Sequence, residues 1–332
     1  MCRKNAAGMD SKNMSFKIIG TGKGIPKRSV SNYELSSFLD TNDEWITTRT
    51  GIKNRYVCVE ESLTDLAETA AMSAIKKALL KKEDIDLIIC STISGDYVTP
   101  SLACAVAEKL RISCPAFDIN AACAGFIYAF DIAALYLKGC KAKNILIISA
   151  EMMSKHVDWN DRKTCVLFGD GAGACVVTHG NALKYINLTL SADTEMINLS
   201  SHKEDNPFVK AEKNKTEFLH MQGQDVFKFA VTTVEKEAQL AFEALSIAPK
   251  DIDYFLLHQA NKRIIDSIRR RFGQKEDKFP VNIDKYANMS SATIPILLDE
   301  MLAEGRIKPG DTLFLSAFGA GMTAGSCVIV WE

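Results

Sequence analysis

An internal repeat runs through almost the whole of this 332-residue sequence. Three pairs of short segments recur at one offset of 167 residues (183 minus 16, 251 minus 84 and 316 minus 149): Phe16-Lys-Ile-Ile with Leu183-Lys-Tyr-Ile, Asp84-Ile-Asp with Asp251-Ile-Asp, and Ser149-Ala150 with Ser316-Ala317. The repeat predicts two copies of one structural unit, an N-terminal half at 14–182 and a C-terminal half at 183–332.

Apolar strands alternate with helical segments in each half. In the first half, strands are predicted at 16–21, 84–90, 116–120 and 144–150, with helices at 62–80 and from Pro100 onward. Residues 168–177 are predicted to form a glycine turn that feeds another strand. This order predicts an α/β fold with parallel strand pairing and helices on the sheet faces. Ligands of such sheets collect at the carboxyl ends of the strands, so functional residues are expected there.

Composition excludes several classes of function. The net charge is −1, which argues against a nucleic-acid or membrane-surface protein. The 10 cysteines are scattered singly, without a C-x-x-C pair or a Cys/His cluster, so reduced cytoplasmic thiols are expected rather than disulfides or zinc. Residues 1–13 are polar and lack the apolar core of a secretory signal. We expect this leader to be disordered or not native.

The stretch from Asp118 to Gly139 carries the first candidate for chemistry. After Cys123 nearly every residue to Leu137 is apolar, and Asp131 is the one charge. We therefore predict a helix that is buried on all sides and is too short to cross a bilayer. Cys123 lies at its start, where unpaired N–H groups lower the pKa of a thiol and make it a nucleophile. The alternative role for this cysteine is a small buried filler.

Two further candidates lie at corresponding places in the second half. The predicted strand 254–257 ends at His258, and the residue 167 positions after Cys123 is Ser290, in the turn that holds Asn288. A cysteine with a nearby histidine suits acyl transfer through a thioester. An asparagine amide orients an imidazole or donates to an oxyanion. The alternatives are a core histidine and a helix cap at Asn288, but the shared position of the three residues favours one site.

Two segments allow two interpretations each. The glycines of 316–326 follow a strand and leave backbone N–H groups for an oxyanion or a phosphate. Neither this segment nor 168–173 has the spacing of a dinucleotide site.

The arginines after His258 occupy one predicted helix, with Arg263 and Arg270 on the same face. They form either a solvated basic face or a dock for an acidic partner or a phosphate group.

Six motifs occur in order between Ser15 and Glu332: Asp43-Glu-Trp45-Ile-x-x-Arg49-Thr-Gly-Ile, Asp118-x-x-Ala-Ala-Cys-Ala-Gly-Phe, Phe168-Gly-Asp-Gly-Ala-Gly-Ala, His258-Gln-Ala-Asn-x-Arg-Ile, Asn288-x-Ser-x-Ala-x-Ile-Pro and Phe318-Gly-Ala-Gly. Together they resemble the β-ketoacyl-acyl carrier protein synthase III group of the thiolase superfamily. The resemblance implies the duplicated, five-layered αβαβα thiolase-like fold, a homodimer, and an acyltransferase of fatty-acid biosynthesis.

The reaction that the resemblance implies has two steps. Cys123 first takes an acyl primer from acyl-coenzyme A (acyl-CoA). Malonyl-acyl carrier protein then loses CO₂, and His258 and Asn288 stabilise the enolate that attacks the acyl-enzyme and gives 3-oxoacyl-acyl carrier protein. A developing enolate needs neutral donors rather than a carboxylate neighbour, which agrees with these residue types.

The resemblance also assigns the other site residues. The backbone N–H groups of Cys123 and Ala320 match the oxyanion hole of the family, and Trp45 and Arg162 match positions that sandwich the adenine. The full set that matches the coenzyme A site is Thr41, Trp45, Arg49 and Arg162, and the set that matches the carrier-protein dock is Lys228, Arg263 and Arg270. The resemblance implies acyl-CoA and malonyl-acyl carrier protein as substrates, with no metal and no permanently bound cofactor.

Three positions depart from the family pattern. Ala320 stands where many relatives have glycine, and Ala324 stands where a tryptophan is frequent. Thr99 stands where acetyl-primed members often carry a bulky aromatic, which suggests a longer or branched primer.

Three other functions remain as alternatives: a cysteine hydrolase with the same three residue types, a specialised synthase of secondary metabolism, and a non-catalytic subunit that binds the carrier protein. The intact Cys/His/Asn set argues against the last of these.

Overall fold

The structure is a computed structural model that describes residues 15–200 and 218–332. The leader predicted at 1–13 lies outside the described residues. The strands are β1 Phe16–Gly24, β2 Arg28–Ser31, β3 Asn54–Val57, β4 Leu87–Ser91, β5 Ala116–Ile119, β6 Asn144–Met152, β7 Asp170–His179, β8 Leu183–Asp193, β9 Ile197–Asn198, β10 His220–Met221, β11 Tyr254–Leu257, β12 Thr312–Gly319 and β13 Gly321–Val330. The α-helices are α1 Asn32–Leu35, α2 Asp43–Thr50, α3 Leu63–Lys77, α4 Leu102–Leu110, α5 Gly125–Lys138, α6 Gly223–Leu245, α7 Lys262–Phe272, α8 Ile283–Tyr286 and α9 Thr293–Ala303.

Two mixed sheets form the frame of the molecule. The first has the strand order β1-β7-β6-β4-β5 and the second has the order β11-β12-β13-β8. β4 pairs in parallel with β5 and β6, whereas β7 is antiparallel to both β6 and β1. The prediction of parallel pairing is therefore wrong for β7, because no helix carries the chain back across the sheet between β6 and β7. β13 likewise returns antiparallel to β12 after the single residue Ala320.

Three apolar clusters fill the spaces between five layers. One cluster lies between the two sheets around α5 and α9, a second packs α3 and α4 on the first sheet, and a third packs α6 and α7 on the second sheet. The predicted five-layered αβαβα fold is confirmed. Within the described residues, no helix combines the length and the apolar character needed to cross a membrane.

α5 is central but is not buried on all sides. Phe126 and Phe130 are fully buried between the sheets, whereas Leu135 on the opposite face is 49 % exposed. The prediction of complete burial is therefore wrong for that face. An apolar face that a single chain leaves open is typical of a surface that another molecule covers.

The two halves follow the same path to their central helices, but the offset between them changes before those helices begin. Asp86 and Asp253 occupy equivalent places, since each side chain accepts a hydrogen bond from the first residue of a neighbouring strand, Asn144 or Thr312. The two aspartates are 167 residues apart (253 minus 86), and their partners are 168 residues apart (312 minus 144). The second half therefore gains one residue between these points.

Equivalent turns precede the two central helices. The turns Ala122–Ala124 and Ser290–Ala292 both begin with a left-handed residue, with φ of 47° at Ala122 and 49° at Ser290. These residues are 168 apart, so the counterpart of Cys123 is Ser291. The predicted match of Cys123 with Ser290 is wrong by one residue.

The glycine turn predicted at 168–173 is also wrong, because Gly171 and Gly173 lie inside β7. The absence of a side chain lets α9 pack directly on this strand. A Cβ at Gly173 would lie 2.8 Å from Pro295, and one at Gly171 would lie 2.5 Å from the sulfur of Met289. This close contact sets the position of the turn that carries Asn288.

Candidate active site

Cys123 lies in the turn between β5 and α5, as the sequence predicts. Gly125, the first residue of α5, packs against the end of β4, where a Cβ would lie 1.8 Å from Ser91 Oγ. The Cys123 side chain is partly buried in the wall of a cavity. A left-handed residue other than glycine, Ala122, immediately precedes it; such strained conformations concentrate at functional sites.

The end of β12 lies against the backbone of Cys123. A Cβ at Gly319 would be 2.5 Å from Cys123 N, so only glycine fits there without displacement. Ala320 follows, and both Cys123 and Ala320 line the cavity. In the described part of the chain, neither of their N–H groups donates to a turn, loop or cap acceptor. These two donors therefore remain available to a ligand.

His258 follows the carboxyl end of β11 and is buried. Its Nδ1 lies 2.7 Å from Thr293 Oγ1, and the same oxygen accepts a hydrogen bond from the Gln259 N–H at 3.4 Å. Burial lowers the pKa of His258 to about 3, so the imidazole is neutral near pH 7. With Nδ1 held by Thr293, the remaining ring nitrogen, Nε2, is free for the cavity.

Asn288 is oriented by the turn that follows it. Its Oδ1 accepts a hydrogen bond from the Ser290 N–H at 2.8 Å, which leaves the Nδ2 hydrogens as donors. Its backbone is tied to the segment before β7, since Asn288 N–H donates to Leu167 O at 3.0 Å and Gly169 N–H donates to Asn288 O at 3.1 Å. Asn288 thus closes a turn and lines the cavity, and it is not the helix cap of the alternative interpretation, since the N-caps of the following helical segments are Met289 and Ala292.

The cavity has a volume of about 210 Å³ and brings Cys123, His258, Asn288 and Ala320 together. Most of the remaining lining is apolar, and it includes Ile93, Met153, Leu167, Phe168, Leu219, Val226, Phe227, Ile264 and Phe318. Among the described residues, no aspartate or glutamate lines the cavity. The arrangement is a thiol, His258 and Asn288 in a mostly apolar enclosure, whose other polar lining residues are Lys163, Asn261 and Ser290.

The resting thiol is not acidic. Burial raises the pKa of Cys123 to about 12; a hydrogen bond from Ser290 lowers it, and the charge of Glu151 raises it. The prediction that the helix start lowers this pKa is wrong for the resting protein, because burial disfavours the thiolate more strongly. Thiolate formation therefore requires a group that takes the proton.

Two family models match the chain. The model of 3-oxoacyl-[acyl-carrier-protein] synthase III matches residues 117–194, and the model of the C-terminal part of that synthase matches residues 242–331. The β-ketoacyl-[acyl-carrier-protein] synthase III of Clostridium tetani is 40% identical over 332 residues, covering 96% of this chain and 99% of its own. The chain belongs to the β-ketoacyl-[acyl-carrier-protein] synthase III family. It is an acyltransferase and a condensing enzyme, as its motifs predict.

Solved structures of this synthase family have the same fold. The crystal structure of the 3-oxoacyl-[acyl-carrier-protein] synthase III of Aquifex aeolicus VF5 is 40% identical, with a TM-score of 0.89, and the match covers 96% of this chain and 100% of that one. The priming β-ketosynthase of the R1128 polyketide biosynthetic pathway is 30% identical, also with a TM-score of 0.89, over 98% of this chain and 99% of that one.

The residues that resemble the coenzyme A site of synthase III lie outside the inner cavity. Trp45 on α2 is flanked by two guanidinium groups, with the Arg49 carbon 4.5 Å and the Arg162 carbon 5.1 Å from the ring centre. Arg162 also hydrogen-bonds Asp40 Oδ2 at 3.1 Å. The Thr41 hydroxyl is buried and has no partner in the described part of the chain. The site is thus an aromatic ring between cations, beside the cavity.

The residues predicted to bind the carrier protein lie on two neighbouring helices. Arg263 and Arg270 are exposed on α7, and exposed Lys228 on α6 pairs with Asp225 at 3.4 Å. The Arg263 guanidinium lies 6.0 Å from the ring centre of Phe227, which lines the cavity. The basic surface therefore adjoins a residue of the cavity wall.

Thr99 is exposed and does not line the cavity of this chain.

Sequence reasoning missed Thr293, Glu151 and the cavity-lining Lys163 as parts of the site, and it used Ser290 only to locate a turn. Lys163 follows Arg162 directly, so the assignment of Arg162 to the coenzyme A site could have drawn attention to Lys163. Glu151 is the penultimate residue of β6, so a charged residue near the end of an apolar strand was the only available signal.

Proposed function

We propose that this synthase III primes fatty-acid synthesis. Cys123 accepts an acyl group from acyl-CoA, and the acyl-enzyme condenses with malonyl-acyl carrier protein to give 3-oxoacyl-acyl carrier protein, CO₂ and coenzyme A. The observation that carries the proposal is the cavity in which one thiol faces two neutral side chains without a lining carboxylate. Such a site stabilises a developing enolate and does not repel it.

In the first step the Cys123 thiolate attacks the thioester carbonyl of acyl-CoA. The N–H groups of Cys123 and Ala320 donate to the oxyanion that forms, and coenzyme A leaves as its thiolate. Because Gly319 holds the β12 end against the cysteine turn, both donors are in place before the substrate arrives. This preorganisation avoids rearrangement during the reaction.

In the second step malonyl-acyl carrier protein loses CO₂ and becomes a thioester enolate. His258 Nε2–H and Asn288 Nδ2–H donate to the enolate oxygen. For Nε2 to carry the hydrogen of a neutral imidazole, the Thr293 hydroxyl donates to Nδ1 across their 2.7 Å contact, rather than to the Ser290 carbonyl oxygen at 3.1 Å. The enolate carbon then attacks the acyl group, and the Cys123 thiolate is released.

Each substrate has its own docking surface in this proposal. The adenine of coenzyme A stacks on Trp45 with Arg162, while Arg49 and Thr41 lie beside it. The acidic carrier protein docks on the basic surface of Lys228, Arg263 and Arg270, since opposite charges steer such encounters. Arg263 lies against Phe227, which lines the cavity, so a carrier protein bound at Arg263 has its phosphopantetheine arm next to the cavity wall.

We also propose a cytoplasmic homodimer. Tyr97 and Val98 are exposed next to Thr99, and the apolar face of α5 with Leu135 is partly exposed in a single chain. β5 is an edge strand of its sheet, which offers unpaired backbone groups to a second copy. In the dimer Thr99 reaches the acyl pocket of the partner and leaves room for a longer or branched primer.

Three variants test the proposed steps separately. Cys123→Ala should abolish acyl labelling from acyl-CoA, whereas His258→Ala and Asn288→Ala should keep labelling and lose malonyl decarboxylation. Labelling of the Cys123→Ala variant at the wild-type rate would refute the nucleophile. Malonyl-independent hydrolysis of the acyl-enzyme would instead indicate a hydrolase.

Mass spectrometry of the acyl-enzyme after incubation with mixed acyl-CoA species identifies the primer. A strict preference for acetyl would overturn the role given to Thr99. Conversion of the loaded enzyme to a short 3-oxoacyl-acyl carrier protein distinguishes fatty-acid priming from secondary metabolism.

A further inference from the structure

We propose that Glu151 and Ser290 form a proton relay that takes the proton of the Cys123 thiol during acyl transfer. The inference rests on the proposed function, because it concerns the first step of that reaction. Glu151 touches no substrate and acts on Cys123 only through Ser290. It is therefore a positioning and proton-holding residue rather than a catalytic one.

Glu151 is a fully buried carboxylate that is held by neutral donors. Its Oε1 accepts hydrogen bonds from the hydroxyls of Ser290 and Ser291, both at 3.0 Å. Its Oε2 accepts hydrogen bonds from Ser94 Oγ at 2.7 Å and from the Ile93 N–H at 3.1 Å. In residues 15–200 and 218–332, no ion pair involves this carboxylate.

Ser290 connects this carboxylate to the active site. Its hydroxyl donates to Glu151 Oε1 at 3.0 Å, and Ser290 lines the same cavity as Cys123, in the turn that packs against the cysteine turn. Its N–H donates to Asn288 Oδ1 at 2.8 Å, and its carbonyl oxygen lies 3.1 Å from Thr293 Oγ1. These backbone contacts fix the hydroxyl in place. A hydroxyl can accept one proton while it donates another, which is what a relay requires.

The proton transfer balances without another reactant. The S–H bond of Cys123 breaks as its proton moves to Ser290 Oγ, and the hydroxyl proton of Ser290 moves to Glu151 Oε1. The products are a thiolate and a neutral carboxylic acid. After the thiolate displaces coenzyme A from the acyl group, the leaving thiolate takes a proton back along the same route.

His258 is a poor alternative acceptor for this proton. Its Nδ1 is held by Thr293 Oγ1 at 2.7 Å. Burial also lowers the pKa of His258 to about 3, which makes it a weak base. The tautomer needed for condensation keeps a hydrogen on Nε2, the nitrogen that would have to accept.

Two titratable groups act on Glu151 from the elements packed around it. Cys123 lies beyond Ser290, and Lys155 interacts with Glu151 through its charge while its Nζ donates to the Gly95 carbonyl at 2.9 Å. Burial raises the pKa of Glu151 above the ordinary value for a carboxyl, so it is a stronger base than an exposed one. The thiol and the carboxyl share one proton and titrate as a pair.

The test is the pH dependence of Cys123 alkylation by iodoacetamide, with the modified peptide identified by mass spectrometry. In the wild type the rate should rise to a plateau once Glu151 is ionised, because the pair then holds a single proton. In Glu151→Gln and in Ser290→Ala the rate should have no plateau. It should rise about tenfold per pH unit until the thiol itself ionises.

Glu237→Gln is the matched control. Glu237 is equally buried and is held by Asn187, Thr189 and Ser326, but it does not line the cavity. This variant should keep the plateau.

Profiles of the same shape in the wild type and Glu151→Gln would overturn the relay, whatever their amplitudes. A wild-type rate without a plateau would overturn it even if neither variant folded. Malonyl decarboxylation by Glu151→Gln reports that the variant is folded. Because alkylation needs no acyl-CoA, failure of the relay is distinguishable from failure of the proposed function, which acyl labelling of the wild type tests.

Discussion

Replacement of Gly319 by alanine is expected to slow acyl transfer to Cys123, because the new side chain displaces the turn that carries the thiol. The new Cβ would lie 2.5 Å from Cys123 N and 3.0 Å from the Cβ of Ala122, whereas ordinary contact begins at 3.4 Å. Relief of the closest contact requires a shift of up to about 0.9 Å (3.4 minus 2.5) in backbone atoms. A misplacement of about 1 Å at a reacting group costs roughly 100-fold in rate, while overpacking costs about 1–3 kcal/mol of stability.

The assay is single-turnover labelling of Cys123 from acyl-CoA, accompanied by chemical denaturation. We expect Gly319→Ala to lower the labelling rate by about 10- to 100-fold at saturating substrate. Gly139→Ala is the matched control, since its Cβ would make only ordinary contacts, the nearest at 3.4 Å from Leu135 O. Wild-type labelling by Gly319→Ala would refute the argument that this glycine positions the cysteine turn.

Three further predictions concern single contacts. Thr293→Val removes the hydroxyl that holds His258 and should lower malonyl decarboxylation by about tenfold while labelling of the nucleophile stays unchanged; an equal loss in both steps would contradict it. Arg263→Ala should raise KM for malonyl-acyl carrier protein by about tenfold and leave KM for acyl-CoA unchanged. In the wild type the Arg271 guanidinium already pairs with a glutamate of α6, so Arg271→Ala should change neither KM. The folded-state pKa of His258 is about 3, against 6.5 for the free side chain, so the unfolded chain binds more protons than the folded protein below about pH 6.5. The free energy of unfolding should therefore fall as the pH falls, by about 2 kcal/mol at about pH 5. In acid denaturation His258→Gln should remove this loss, whereas His179→Gln should keep it.

Much of the active site was predictable because strand ends are visible in a sequence. Cys123 and His258 each follow an apolar strand, and the repeat related the turn of Asn288 to the turn of Cys123. These strands, β5 and β11, belong to different sheets, and the packing of the two sheets brings their ends to one cavity. The cavity that joins these three residues with Ala320 follows from this geometry.

The errors arose where local spacing does not determine contacts. The one-residue change of offset between the halves lies between equivalent aspartates and the strands they contact, and no sequence pattern marks it. The resting pKa of Cys123 depends on burial, which a helix-start argument leaves out. Glu151 reaches Ser290 across 139 residues of sequence, a contact that only the folded chain reveals.

The twin turns explain how one duplicated unit supplies two different chemistries. Each turn begins with a left-handed residue and leads into a central helix, so both place a helix start near the cavity. In the first turn the residue after Ala122 is the thiol, which lines the cavity. In the second turn the equivalent residue, Ser291, is buried and donates to Glu151 at 3.0 Å. The same backbone therefore presents a nucleophile on one side and, on the other, anchors the carboxylate that we propose takes the proton of that nucleophile.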